Sequence, residues 1–238
     1  MKLVSAVLAR NEAGKDRYLA RVLQCCQEFS DAVLLLDDHS TDATAEVAEK
    51  LGCLVKKRAA NQYPAWGHET PARVELWQWG VEVGRTLAAT PHTSAWLLIC
   101  DADMLLHGDS ATIRALCYSW DAAACAWPLA DLWESETTYR MDGPWGVGCN
   151  TPRPWLFRVT GWPEDYTPAW SGRGIHSGHA PANFAQVGPC LVAPPDIFWK
   201  HLGWLKRSHR EAKAEQYAKV SKQMSEFERA HCATILDK

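Results

Sequence analysis

An alternation in the first hundred residues constrains this chain more than anything else in it. "KLVSAVLA", "DAVLLLDDHS", "CLVKKR" and "SAWLLICDADM" are short apolar runs. Between them lie "DRYLARVLQCCQEF", "STDATAEVAEKLG" and "TPARVELWQWGVEVGRTL", whose apolar positions recur at helical spacing. Continuous apolar runs of this length predict buried strands, and the intervening segments predict amphipathic helices. Ser40 or Thr41 is the expected N-cap of the second helix and Gly52 its stop, and Pro71 stands near the start of the third. Strand and helix in alternation argue for an α/β fold, a mostly parallel sheet flanked by helices.

After Met104 the pattern loosens. "DSATIRALCYSW" predicts a helix and "AAACAWPLADLW" a strand. Residues 140–195 are rich in Gly, Pro and Trp and have no period, which suits a binding region better than filler. From Ser208 to Ile235 the chain is helical and charged. We therefore expect a single domain over 1–238, with an α/β half (1–104) and an irregular half (105–238) that ends in a C-terminal helix.

Composition removes several classes. The net charge of −3 gives no general preference for nucleic acid. No apolar run reaches the length of a membrane span, and the N-terminus predicts a strand and not a signal peptide. The nine cysteines are scattered with no C-x-x-C, which disfavours zinc and fits a reducing, cytoplasmic setting. The loop after the first strand lacks G-x-G-x-x-G, and no P-loop motif occurs.

In an open parallel sheet, ligands bind beyond the carboxyl ends of the strands. Three polar clusters stand at such ends: Arg10-Asn11-Glu12, Asp37-Asp38, and Asp101 with Asp103. Two carboxylates one residue apart repel unless a cation or strong donors lie between them. An acidic surface turn is the plain alternative. A divalent-metal site is the other, because hard cations choose carboxylate oxygens.

"VSAVLARNEAG", "LLLDDHSTDATAEVAEKLG", "PARVELWQWGVEVG" and "WLLICDADM", in that order, resemble family 2 glycosyltransferases with the GT-A (Rossmann-like) fold. "IHSGHAPANF" and "HLGWLKRSHREAKAEQY" are similar to the tail of a bacterial and phage subgroup. The resemblance implies a nucleotide-sugar-binding half (1–104) and an acceptor-side half (105–238). It implies an inverting transfer from a nucleotide-sugar donor, with UDP favoured, to an acceptor hydroxyl, assisted by Mn²⁺ or Mg²⁺. By position, Asp38 matches the acid that contacts the nucleoside, and Ala9 and Glu12 match the other side of that pocket. Arg73 matches a basic residue reaching toward the donor. Asp101 and Asp103 match the D-x-D, Asp103 as the direct metal ligand and Asp101 in both the metal and donor sets. His201 matches the histidine that completes the metal shell, with His176 as competitor and an ordinary structural histidine as the alternative for either. Arg210, Lys213 and Tyr217 share one helix face and are placed to meet the diphosphate, Arg210 being equally explicable as a solvated basic residue.

An inverting transferase needs a general base. Glu164 and Asp165 in "GWPEDY" match the family's acidic pair, with Asp165 favoured. An exposed turn is the alternative, and Asp131, Glu134 and Asp142 are rivals. Trp133, Trp145, Trp155, Trp162 and Trp170 are candidate stacking surfaces for an acceptor. That acceptor is a glycan or other soluble molecule, or else a hydroxylated base of phage DNA. A sugar nucleotidyltransferase is disfavoured because "LARNEAGKDR" lacks a Gly-rich basic loop. The D-x-D argues against a non-catalytic nucleotide-sugar binding module.

Overall fold

The computed structural model describes residues 1–60, 62, 68–90, 92–118, 121–172, 178–220 and 224–237. The alternation forms as the pattern dictates: β1 (Lys2–Ala9), α1 (Leu19–Phe29), β2 (Ala32–Asp37), α2 (Thr44–Lys50), β3 (Leu54–Lys57), α3 (Glu69–Ala88) and β4 (Ala95–Asp101). β2 and β4 flank β1, both parallel to it, and β3 lies outside β2. The register sets Ala9 opposite Asp37 and Leu8 opposite Asp101, so the polar ends of three strands emerge at one level.

Side chains alternate between the two faces of the sheet. Leu3, Val7, Leu35, Trp96 and Leu98 enter a core with α1, while Val4, Leu34, Leu36, Leu97 and Ile99 enter a second core with α3. Each fully buried aliphatic side chain here contributes roughly 1.5–3 kcal/mol. α3 lies so close to the sheet that a Cβ on Gly80 would collide with the Leu97 side chain.

The second half adds β5 (Met104–His107), α4 (Ser110–Leu116), β6 (Ala124–Trp127), β7 (Leu129–Asp131), α5 (Gly146–Asn150), β8 (Arg153–Arg158), β9 (Cys190–Val192), β10 (Phe198–His201), α6 (Arg207–Val220) and α7 (Glu226–Ala233). The large sheet runs β3-β2-β1-β4-β8-β6-β9, and a small sheet runs β5-β10-β7.

Four local expectations change. α2 starts at Thr44, because the Ser40 hydroxyl accepts the Asn11 N–H and the Asp42 carboxylate takes the Thr44 N–H. The strand expected around Pro128 is two strands in two sheets, since proline cannot donate to a ladder. β8 lies inside the stretch expected to be irregular, antiparallel to both β4 and β6. The C-terminal helix is two helices. No helix among the described residues is long and apolar enough to cross a membrane.

Candidate active site

Two cavities of about 550 Å³ each open along the ends of β1 and β4. They share Leu8, Ala9, Arg10, Glu12, Asp103 and Lys213, so they form one cleft. One arm passes Asp38. The other passes Arg73, Asp101, Asp131 and His201 and reaches Val147 and Phe227.

The first arm is built by stitching the loop after β1 to the loop after β2. Asn11 adopts a left-handed conformation (φ 55°), which asparagine tolerates better than most residues. Its side-chain oxygen accepts the Thr41 N–H at 2.8 Å, and the Glu12 N–H is donated to the Thr44 hydroxyl at 2.8 Å. Glu12 is thereby held at the junction of the two arms. Burial, reinforced by the negative charge of Asp103, pushes its carboxyl up to about 7. Asp38 is buried, and its Oδ1 accepts from Arg58 Nη1 at 2.5 Å and lies 3.2 Å from His39 Nδ1.

In the second arm the two aspartates part company. Asp101 Oδ1 pairs with Arg73 at 2.7 Å, and its Oδ2 lies 3.3 Å from His179 Nε2. Asp103 Oδ2 lies 3.2 Å from Lys213 Nζ and 3.4 Å from His201 Nε2. Burial pushes both carboxyls up, but these cations outweigh it and hold each well below the usual carboxylate range. Burial lowers the His201 imidazole, but Asp103 and Asp131 overcome this and raise it to about 9. His201 Nδ1 donates to Asp131 Oδ1 at 2.6 Å.

These residues fit a divalent cation. A Cβ on Gly203 would fall on Asp103 Oδ2, Lys213 Nζ and His201 Nε2, so the missing side chain leaves a cradle where a carboxylate oxygen and an imidazole nitrogen converge, with the Lys213 ammonium as the counter-charge that a cation would displace. Mg²⁺ with ligands at 2.0–2.1 Å places neighbouring donor atoms about 3 Å apart. The 3.4 Å separation of Asp103 Oδ2 and His201 Nε2 is close to that. Among the described residues no set of three His, Cys, Asp or Glu side chains could hold a metal alone. Mg²⁺-type sites take few protein ligands and fill the rest with phosphate and water.

Several expected site residues lie elsewhere. Glu164 and Asp165 are exposed and do not line the cleft, because Trp162 stacks on Trp77 and Tyr166 packs edge-on to Phe184, tying that turn to the α3 side of the sheet. Arg210 is buried away from the cleft, donating to the Trp204 and Leu205 carbonyls at 2.8 and 3.3 Å with its guanidinium over Trp133. Arg73 lines the cleft, but its charge is spent on Asp101 and Glu69. Trp133, Trp145 and Trp155 are core residues, Trp162 and Trp170 pack against the α3 core, and among the described residues Trp204 is the tryptophan on the cleft wall. His176 lies outside the described residues.

Arg58 was not anticipated. The signal was present in the strand order, since β3 pairs in parallel with β2 up to Lys57 opposite Asp37, and the next residues of each are Arg58 and Asp38. Glu69 and the cradle at Gly203 were also missed.

No protein-family model matches this chain. An uncharacterized protein of Mycobacterium tuberculosis is 26% identical over 234 residues, covering 92% of this chain and 51% of that protein, and one of Mycobacterium bovis matches equally. The chain thus spans about half the length of the curated relatives it matches. Among solved structures, Staphylococcus aureus TarS (residues 1–349) in complex with UDP aligns at TM-score 0.49 and 14% identity, over 99% of this chain and 70% of that one. The Pyrobaculum calidifontis mannosyltransferase PcManGT, with GDP-Man and Mn²⁺, aligns at TM-score 0.48 and 15% identity, over 94% and 65%. Mycobacterium tuberculosis glucosyl-3-phosphoglycerate synthase, with Mg²⁺ and UDP, aligns at TM-score 0.46 and 14% identity, over 91% and 78%.

Proposed function

We propose that this chain is a metal-dependent glycosyltransferase that moves a sugar from a nucleotide-sugar donor, a UDP-sugar in the first instance, to an acceptor hydroxyl. One observation carries the reading. The polar ends of β1, β2 and β4, far apart in sequence, border a single cleft that offers a nucleoside-sized arm at Asp38 beside the Asp103–His201 cradle.

The residues divide the work by position. Asp38, Ala9 and Glu12 border the nucleoside arm. Arg58 orients the Asp38 carboxylate through a buried contact at 2.5 Å. Lys213 reaches the junction, where its ammonium meets the negative charge that develops on the departing diphosphate. Asp103 and His201 would hold Mn²⁺ or Mg²⁺, which supplies Lewis-acid neutralisation of that leaving group. Asp101, pinned by Arg73 and His179, keeps the turn that presents Asp103 in place. The acceptor enters from the arm bounded by Val147 and Phe227, both partly exposed. Inversion at the transferred carbon is part of the proposal and rests on the sequence resemblance.

The test is donor hydrolysis. Purified protein is incubated with a panel of nucleotide sugars and Mn²⁺, Mg²⁺ or EDTA, and released nucleoside diphosphate is measured. Metal-dependent release from one donor, lost in Asp103→Ala, supports the proposal. The absence of both release and donor binding across the whole panel overturns it. Glycans and duplexes carrying hydroxylated bases then compete as acceptors. Salt-sensitive duplex binding is the signature of the DNA alternative.

A further inference from the structure

We infer that Asp131 is the positioning residue of the metal cradle: it fixes the His201 ring so that Nε2 faces Asp103. The inference rests on the metal-dependent reading above and deepens it.

The small sheet places all three groups. β10 pairs in parallel with β7, with His201 opposite Asp131, and antiparallel with β5, with His201 opposite Met104. The Leu202 N–H is donated to the Asp103 carbonyl at 2.8 Å, which locks the end of β10 to the turn that carries Asp103. Backbone pairing therefore sets where the three side chains begin, and the imidazole orientation is the remaining freedom.

The two ring contacts are unequal. Nδ1 to Asp131 is 2.6 Å, a strong charge-assisted hydrogen bond, while Nε2 to Asp103 Oδ2 is 3.4 Å. The ring is thus anchored at Asp131 and open at Asp103, on the side of the Gly203 cradle. The Asp131 side chain is 8% exposed, and among its described contacts His201 is the ion-pair partner. A buried carboxylate without such a partner is costly, which binds the two side chains to each other. A carboxylate holding the far nitrogen of a ligating histidine sets tautomer and orientation, and its loss costs metal affinity about 10–100-fold. Asp131 is a candidate general base by sequence, but in this arrangement its Oδ1 is committed to the imidazole.

Mn²⁺ binding, read by the electron paramagnetic resonance signal of free Mn²⁺, tests this without turnover. Wild type, Asp131→Ala, Asp131→Asn and His201→Ala are titrated with Mn²⁺ alone, and nucleoside diphosphate affinity is measured in EDTA. Asp131→Ala is expected to bind Mn²⁺ at least about tenfold more weakly, close to His201→Ala. Asp131→Asn, which keeps an acceptor oxygen for Nδ1–H, should recover part of the loss, and EDTA-phase nucleotide affinity should be unchanged in both. If Asp131→Ala does not fold, Asp131→Asn carries the test with an expected loss of about two- to tenfold. Mn²⁺ affinities within twofold of wild type for the Asp131 variants overturn the inference alone. So does a turnover collapse with Mn²⁺ affinity intact, which would assign Asp131 to the acceptor proton. A wild type that binds no Mn²⁺ overturns the metal-dependent reading itself.

Discussion

Replacing Glu12 by Gln should stabilise the metal-free protein at alkaline pH and leave it unchanged at acid pH. The Glu12 side chain is 17% exposed at the junction of the two arms, and burial together with Asp103 moves its carboxyl from an ordinary 4.5 to about 7. The native state therefore holds this proton more tightly than the unfolded chain does. Below about pH 4.5 the group is protonated in both states and contributes nothing to the balance. As pH rises toward 7 the unfolded chain releases the proton first, so stability falls, and above 7 the loss is complete. At 1.36 kcal/mol for each pKa unit between 4.5 and about 7 the effect is roughly 3 kcal/mol, with the opposing influence of Arg17 already included, and water entering the open cleft brings the expected range to about 1–3 kcal/mol. Glutamine keeps the shape and removes the charge. Urea unfolding of wild type and Glu12→Gln in EDTA, at pH 4 and pH 8, reads the difference directly. A variant gaining about 2 kcal/mol at pH 8 and nothing at pH 4 is the expected result. Equal effects at both pH values, or a loss at pH 8, would refute the reasoning, because Glu12 would then ionise in the fold at no cost.

Three further perturbations separate structure from chemistry. Arg210→Met should cost about 2–4 kcal/mol of stability in urea unfolding, from lost hydrogen bonds to the Trp204 and Leu205 carbonyls and the contact with Trp133, while nucleotide affinity by calorimetry stays within twofold. Lys213→Gln should raise Mn²⁺ affinity in the absence of nucleotide by about fivefold, roughly 1 kcal/mol, since it removes a cation 3.2 Å from Asp103 Oδ2, and should weaken nucleoside diphosphate binding. Gly203→Ala should lower Mn²⁺ affinity at least about tenfold by filling the cradle, with a far-UV circular dichroism spectrum like that of wild type.

The β-α alternation and the polar strand ends were legible because they depend on local period and on the rule that parallel strands finish at one level. What failed to show locally was decided by contacts far apart in the chain. Glu164 and Asp165 form a credible acidic pair in sequence, yet the stacking of Trp162 on Trp77, 85 residues earlier, takes them out of the cleft. Helical spacing put Arg210 and Lys213 on neighbouring positions of α6, but the rotation of that helix is set by Trp133 and Trp204. Arg210 is drawn over Trp133 and Lys213 over Trp204 beside Asp103. β8 was hidden in "RPWLFR" because a six-residue strand begun by Arg-Pro in a Gly- and Trp-rich stretch shows too little alternation to be read. The link between Asp131 and His201 spans 70 residues and exists only because β7 and β10 share a sheet.

The two aspartates at the end of β4 now have separate physical explanations. Side by side without partners, they would repel and one would take up a proton. Here each has its own cations, and the cations differ in kind. Asp101 closes the strand and faces Arg73, whose side chain is 5% exposed and also held by Glu69. Arg73 is buried while Asp101 is 30% exposed, and taking the carboxylates away would leave a buried guanidinium without counter-charge, so this contact belongs to the fold. Asp103 stands two residues on, in the turn before β5, and faces Lys213, whose side chain is 25% exposed on a helix from the far end of the chain. A partly exposed ammonium on a flexible stem can leave a carboxylate for a phosphate more readily than a buried guanidinium braced between two acids. The spacing of one residue lets the first acid fix the turn and leaves the second with the one counter-charge of the pair that an arriving ligand can replace.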